Sequence, residues 1–142
     1  MPLENKSVID MGTGTGILAI LAAMRGANPV NAVEIDEFAH VNAVENVRLN
    51  GHAEINVILG DAGALDNLET ADLFIANINR NIITADMRHY ASKLAEGGDM
   101  LLSGFYEEDV ETIFAEASNH GLKHTGTYVL DRWTCLQLKK LS

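Results

Sequence analysis

Short apolar runs alternate along this chain with stretches whose apolar positions recur every three or four residues, and glycine or asparagine separates most of them. Buried-strand runs interleaved with helical periodicity mark βα units and a mostly parallel sheet. The first run, Val8 and Ile9, leads into Asp10 and a glycine turn, and an alanine-rich helix spans residues 17–24 until Gly26 and Asn28-Pro29 stop it. Residues 30–34 form the second strand. Phe38, Val41, Val44 and Val47 then recur at helical spacing up to Asn50-Gly51. Residues 54–59 alternate as a third strand, residues 66–70 make a polar connection, and residues 71–76 (ADLFIA) form a strongly apolar fourth strand. A helix follows with Ile83, Met87, Tyr90, Ala91 and Leu94 on one face, ended by Gly97-Gly98. A fifth strand covers residues 100–102. The last helix turns Val110, Ile113, Phe114 and Ala117 inward, and two final strands, 122–130 and 133–139, meet at Asp131-Arg132. The expected architecture is α/β: a mostly parallel seven-stranded sheet with helices on both faces and an antiparallel C-terminal hairpin.

The densest chemical signal is SVIDMGTGTGILAILAAM at residues 7–24, where Gly12, Gly14 and Gly16 alternate with Thr13 and Thr15. Glycines so spaced allow left-handed backbone and bring amide N–H groups close to a small molecule, and the following helix N-terminus favours an anionic group. The dinucleotide fingerprint G-x-G-x-x-G would need a glycine where Ile17 stands. The spacing is G-x-G-x-G with Asp10 two residues before the first glycine. It is similar to the first motif of S-adenosylmethionine-dependent methyltransferases with a Rossmann-like fold. A βα turn that binds nothing has the same spacing, so other residues must decide.

Glu34 closes the second strand about twenty residues beyond the glycines, where a carboxylate in Rossmann-type sites accepts bonds from ribose hydroxyls. Asp36 is placed as the cap of the next helix. Asp61, in Gly60-Asp61-Ala62, follows the third strand where the methyltransferase pattern puts an acid facing the adenine amino group, although Gly-Asp is also an ordinary turn. The fourth strand delivers Asn77-Ile78-Asn79-Arg80-Asn81 to the carboxyl edge of the sheet, where ligands of such sheets sit. Asn79 or Asn81 can cap the next helix. The Asn77 side-chain oxygen can accept a bond from an incoming amine and aim its lone pair at a sulfonium methyl. Asn77 is therefore the expected catalytic residue. Glu107, Glu108 and Asp109 suit a helix N-terminus, or alternatively attract a lysine-bearing substrate.

The length, 142 residues, fits one domain. No run approaches the ~20 apolar residues of a membrane span, no secretion signal is apparent, and a cytoplasmic location is expected. Cys135 is the single cysteine, and the five histidines are scattered away from metal-ligand spacing, so no metal is expected. The net charge of −10 works against direct nucleic-acid binding and suits a basic partner. The segment at Asn77 also lacks the aromatic residue that stacks on planar bases, so a flexible alkyl amine is the expected acceptor.

DMGTGTGILAILA, AVEIDEFA, GDA, IANINRNI and LLSGFYEED together resemble the catalytic domain of the PrmA family, nearly end to end. The resemblance implies a Rossmann-like class I methyltransferase fold, S-adenosyl-L-methionine as cofactor, and lysine or N-terminal amines of large-subunit ribosomal protein eleven as substrate. It implies cofactor-binding roles for Gly12, Glu34 and Asn77, with Asp10, Gly14 and Gly16 in the glycine motif and Asp61 at the adenine. Thr13 stands where the family often has cysteine, an exchange expected to be tolerated because the loop works through its backbone. Family members also carry an N-terminal substrate-recognition domain, a linker and a cofactor-covering helix with a threonine. Residues 1–142 contain only the methyltransferase domain, Met1 reads as an internal methionine of a longer protein, and weak cofactor binding with little activity is expected of this form. The alternatives are a class I methyltransferase acting on another amine and a non-catalytic Rossmann-like binding domain.

Overall fold

The structure, a computed structural model, describes residues 2–141. The apolar runs form β1 Val8–Met11, β2 Val30–Glu34, β3 Asn56–Leu59, β4 Ala71–Asn77, β5 Leu94–Tyr106, β6 Leu122–Leu130 and β7 Trp133–Lys140. The helices are α1 Ile17–Met24, α2 Glu37–Leu49, α3 Arg80–Ser92 and α4 Val110–Ser118. Among the described residues the strands make one seven-stranded sheet in the order β3-β2-β1-β4-β5-β7-β6. β1 to β5 run parallel, and β7 lies antiparallel between β5 and β6. The expected sheet and hairpin are both present. Chain order reverses between β1 and β4, which opens a crevice at their carboxyl ends.

Period-two alternation sends neighbouring side chains of β1 to opposite cores. Val8 belongs to the core that holds Ala19, Ile20, Ala32, Leu73 and Ile75, whereas Ile9 belongs to the core that holds Phe74, Tyr90, Leu102, Ile113 and Leu136. α1 and α2 cover β1 to β3 on one face, while α3 and α4 pack on the other against β5 and β6. β1 and β4 are thus clamped from both sides. Their carboxyl ends, which carry Asp10 and Asn77, rest on strands buried on both faces.

Three expectations are corrected. α2 does not bury its Phe38-Val41-Val44 stripe: Phe38 is 82% exposed, Val41 and Val44 are also exposed, and the helix turns Ala43 and Val47 inward. Small residues there let α2 sit close to the glycine loop, and Ala43 is the nearest neighbour that a β-carbon at Gly16 would meet, at 3.5 Å. α3 ends at Ser92, and Leu94 already belongs to β5, paired with Ala71. Gly97 and Gly98 make a register shift inside that strand, with Leu73 next facing Asp99. A β-carbon at Gly98 would come within 2.8 Å of the Ala95 carbonyl, a constraint of the bulge rather than of a helix end. β3 begins at Asn56, and a 3-10 turn over Ala62–Asn67 replaces part of the expected polar connection. Met1, read from sequence as an internal methionine of a longer protein, lies outside the described residues.

Candidate active site

The glycine loop is held at both flanks. The amides of Gly12 and Thr13 donate to the Val33 carbonyl at 2.8 and 3.0 Å, and the Asn46 side-chain amide of α2 donates to the Thr15 carbonyl at 2.9 Å. The buried Glu34 carboxylate draws loop and strand end together. Its Oε1 accepts from the Gly14 amide at 2.8 Å and its Oε2 from the Asp36 amide at 3.1 Å. Asp36 caps α2 by accepting from the Phe38 amide, as its position before the helix led one to expect. Gly12 has φ +77, and a β-carbon there would stand 2.9 Å from Ile78 Cγ1, so the absence of a side chain sets the gap between loop and β4.

Asp10 lies under the loop, 1% exposed. The Thr13 hydroxyl donates to its Oδ2 at 2.8 Å, while Oδ1 has no hydrogen-bond partner. Desolvation raises the Asp10 pKa from 3.8 to about 6, outweighing the Thr13 hydrogen bond and the nearby Ala19 amide, and the Glu34 charge adds to the rise. An unsatisfied carboxylate oxygen inside a glycine cradle is suited to a ligand bearing a hydrogen-bond donor or a positive charge. Thr13 is itself buried, and its hydroxyl adds a side-chain bond to Asp10 to what the loop backbone supplies.

Two cavities meet at the carboxyl edge. The narrower, about 260 Å³, is lined by Gly12, Glu34, Ile35, Asp61, Asn77 and Tyr90 among others. The wider, about 670 Å³, is lined by Asn77, Ser103, Gly104, Tyr128, Trp133 and Cys135 among others. Asn77 lines both. It pairs with Ser103 across β4 and β5, and the Ile78 amide donates to the Ser103 carbonyl at 2.9 Å. Of the sequence candidates, Gly12, Glu34, Asp61 and Asn77 line the narrow crevice, while Gly14 and Gly16 belong to the loop bounding it and Asp10 to β1 beneath that loop. Asp61 also accepts from the Gly63 amide and caps the 3-10 turn, so its turn role and its place in the crevice coexist. The architecture and residues fit a nucleoside-bearing cofactor: a glycine cradle, an acid at the end of β2 and an orphaned buried carboxylate oxygen.

The family model described as ribosomal protein L11 methyltransferase (PrmA) matches residues 1–141. The chain belongs to the PrmA family. It is 46% identical over 135 residues to the ribosomal protein L11 methyltransferase of Bacteroides fragilis, covering 95% of this chain and 48% of that protein. It is likewise 46% identical over 137 residues to the Porphyromonas gingivalis counterpart, covering 96% of this chain and 47% of the relative. The chain therefore spans about half the length of the curated relatives it matches. The crystal structure of ribosomal protein L11 methylase from Lactobacillus delbrueckii subsp. bulgaricus superposes with a TM-score of 0.91 at 28% identity, over 99% of this chain and 72% of that one. TrmN from Thermus thermophilus, at 22% identity over 97% of this chain and 45% of its own, shares the fold with a TM-score of 0.79. The fold is that of the class I methyltransferases.

Around this PrmA-family site, Asn79 caps α3 by accepting from the Ile82 amide at 3.1 Å, which leaves Asn77 out of the cap. Two acids after β5 are engaged locally. Asp109 pairs with Arg80 at 3.3 Å and accepts from the Tyr106 amide, and Glu108 pairs with Arg132. These contacts favour the structural reading of the acidic run over attraction of a substrate. Arg132 also stands over the Tyr106 ring, which stacks on Trp133, so the hairpin tip is tied to β5 beside the wider cavity. Burial raises the Cys135 pKa and keeps it a thiol there.

Sequence reasoning placed Ile78 at the sheet edge and Tyr90 on an inward helix face but gave no site role to either, nor to Gly104 or Asp86. Gly104 has φ +98, and a β-carbon on it would meet the Ile78 backbone at 2.7 Å and the Asn77 Oδ1 at 2.9 Å. Its sequence signal was the glycine of SGFY. Tyr90 sits on the inward face of α3 and carries no sequence mark separating it from a core residue. Among the described residues no metal-ligand cluster forms, and no helix is long and apolar enough to cross a membrane.

Proposed function

We propose that residues 1–142 form one S-adenosylmethionine-dependent methyltransferase domain directed at lysine or N-terminal amines of ribosomal protein L11 in the cytoplasm, and that on their own they bind the cofactor weakly and turn over slowly. The observation that carries this reading is the position of Asn77, shared by a narrow crevice and a wider cavity. Methyl transfer requires a donor and an acceptor that approach from two sides of one point. The substrate is taken from the relatives, which are ribosomal protein L11 methyltransferases, and the acidic chain, at net charge −10, suits a basic ribosomal protein.

The cofactor, when bound, supplies an electrophilic methyl on sulfonium sulfur. Glu34 is assigned to the ribose hydroxyls, Asp61 and the apolar Ile35 and Ala62 to the adenine, and Asp10 with the loop of Gly12, Gly14 and Gly16 to the amino-acid end. Asn77 accepts a hydrogen bond from the acceptor amine and fixes its direction of attack. A lysine amine, with an ordinary pKa of ~10.4, arrives protonated at neutral pH and must lose its proton first. Tyr128, Val129, Leu130 and Trp133 are apolar but exposed, and an acceptor covering them would favour its neutral amine by desolvation, so no side chain is assigned as general base.

Calorimetric titration with S-adenosylhomocysteine tests the cofactor half. One-site binding weakened about tenfold or more by Glu34→Ala is expected; a folded chain that gives no heat at high micromolar ligand overturns it. Labelled cofactor incubated with ribosomal protein L11, or with small amines in its place, tests the acceptor half. Label on the small amines alone would reject L11 as substrate.

A further inference from the structure

Tyr90 presents an anomaly. Its side chain is fully buried against Phe74, with ring centroids 5.0 Å apart, and yet its hydroxyl has no hydrogen-bond partner. Only one other buried side-chain polar atom among the described residues is left so, the Asp10 Oδ1 beneath the glycine loop. A buried phenol without a partner costs stability that phenylalanine would not. Packing therefore explains the ring and not the oxygen.

The oxygen's surroundings suggest its use. Asp86 lies one turn before Tyr90 on α3, and helical geometry puts positions four apart on one face. Both line the narrow crevice, together with Ile35, Asp61, Ala62 and Ile82. Burial, and next the Asp86 charge, push the Tyr90 pKa well above its ordinary 10, so the hydroxyl stays a donor at neutral pH. One wall of the crevice thus offers a donor and an acceptor a single helical turn apart. The edge of adenine offers the complement, ring nitrogens that accept and an exocyclic amine that donates.

We propose that Tyr90 and Asp86 read the adenine edge of the bound nucleoside, the Tyr90 hydroxyl donating to a ring nitrogen and the Asp86 carboxylate accepting from one of the two exocyclic N–H groups, the other being left to Asp61. The inference rests on the cofactor reading given above and extends it to α3. It makes Tyr90 and Asp86 specificity-determining residues whose hydrogen-bonding capacity is satisfied by ligand.

The test uses two variants and two ligands. Tyr90→Phe should melt at the same or a higher temperature than wild type, because a buried orphan group is removed, and should bind S-adenosylhomocysteine about threefold to tenfold more weakly. Asp86→Asn should lose affinity for S-adenosylhomocysteine while binding S-inosylhomocysteine, whose ring carries oxygen in place of the amine, as well as or better than wild type does. A Tyr90→Phe protein with lower stability and unchanged affinity overturns the proposal, and so does equal weakening of both ligands by Asp86→Asn. If wild type binds neither ligand, the cofactor reading fails with it. If wild type binds and both variants bind alike, the α3 contacts alone are rejected.

Discussion

A β-carbon placed on Gly104 would stand 2.9 Å from the Asn77 side-chain oxygen and 2.7 Å from the Ile78 carbonyl, in a backbone conformation, φ +98, that other residues seldom adopt. The shape of β5 beside Asn77 is therefore set by the absence of a side chain one position beyond its cross-strand partner Ser103. Gly104→Ala should lower stability by about 1–3 kcal/mol and shift Asn77. Asn77→Ala, at an exposed position, should leave the melting temperature nearly unchanged and reduce the single-turnover rate about 100-fold. Equal rates for Asn77→Ala and wild type would remove Asn77 from the reaction.

The loop glycines should differ in what they tolerate. Gly12→Val drives a side chain onto Ile78, whereas a β-carbon at Gly14 meets nothing within 4 Å. S-adenosylhomocysteine binding is expected to vanish in Gly12→Val and to survive in Gly14→Ala, which carries only a backbone cost of about 1–2 kcal/mol. Comparable affinities for the two variants would mean that the gap to Ile78 does not matter.

Asp10 makes stability depend on pH with a definite sign. Its carboxyl in the fold has a pKa of about 6, above its ordinary 3.8, so between these values the folded state holds more proton than the unfolded state. This contribution therefore falls as pH rises from about 4 and is fully unfavourable above about 6, at a cost of about 3 kcal/mol. Asp10→Asn lacks the dependence. Denaturant melts at pH 4 and pH 8 should show the variant gaining on wild type by about that amount, while its ligand affinity at pH 8 drops. Parallel pH profiles for the two proteins would contradict the buried, orphaned carboxylate.

Thr13 supplies the hydrogen bond that partly offsets that burial. Thr13→Ala should cost about 1–2 kcal/mol and move the Asp10 titration upward, as read by NMR, whereas Thr13→Ser should restore both. A Thr13→Ala protein with an unmoved Asp10 titration would count against the contact.

Much of this fold was legible because its strands are continuous apolar runs and its turns carry glycine or asparagine. The acid at the end of the second strand and the asparagine at the end of the fourth follow from chain order alone, since parallel strands deliver their carboxyl ends to one edge. Helical stripes were less informative. Phe38, Val41 and Val44 have the spacing of a buried face, but the close approach of α2 to the loop requires Ala43 there instead. Gly97-Gly98 has the composition of a helix end, and strand pairing from Leu94 onward overrode it.

Local residue order alone determined the βα alternation, the glycine turn, the cap at Asp36, a cap for α3 at Asn79 or Asn81, and the side of the sheet on which function would lie. These depend on neighbours within a few positions. Only the tertiary structure decided that Gly14 bonds to Glu34, that Gly104 makes room for Asn77, and that Tyr90 keeps an unpaired hydroxyl beside Asp86 at the crevice. Each of these joins or isolates atoms through packing between segments, and the energy of a buried polar group depends on everything around it, which no local pattern records.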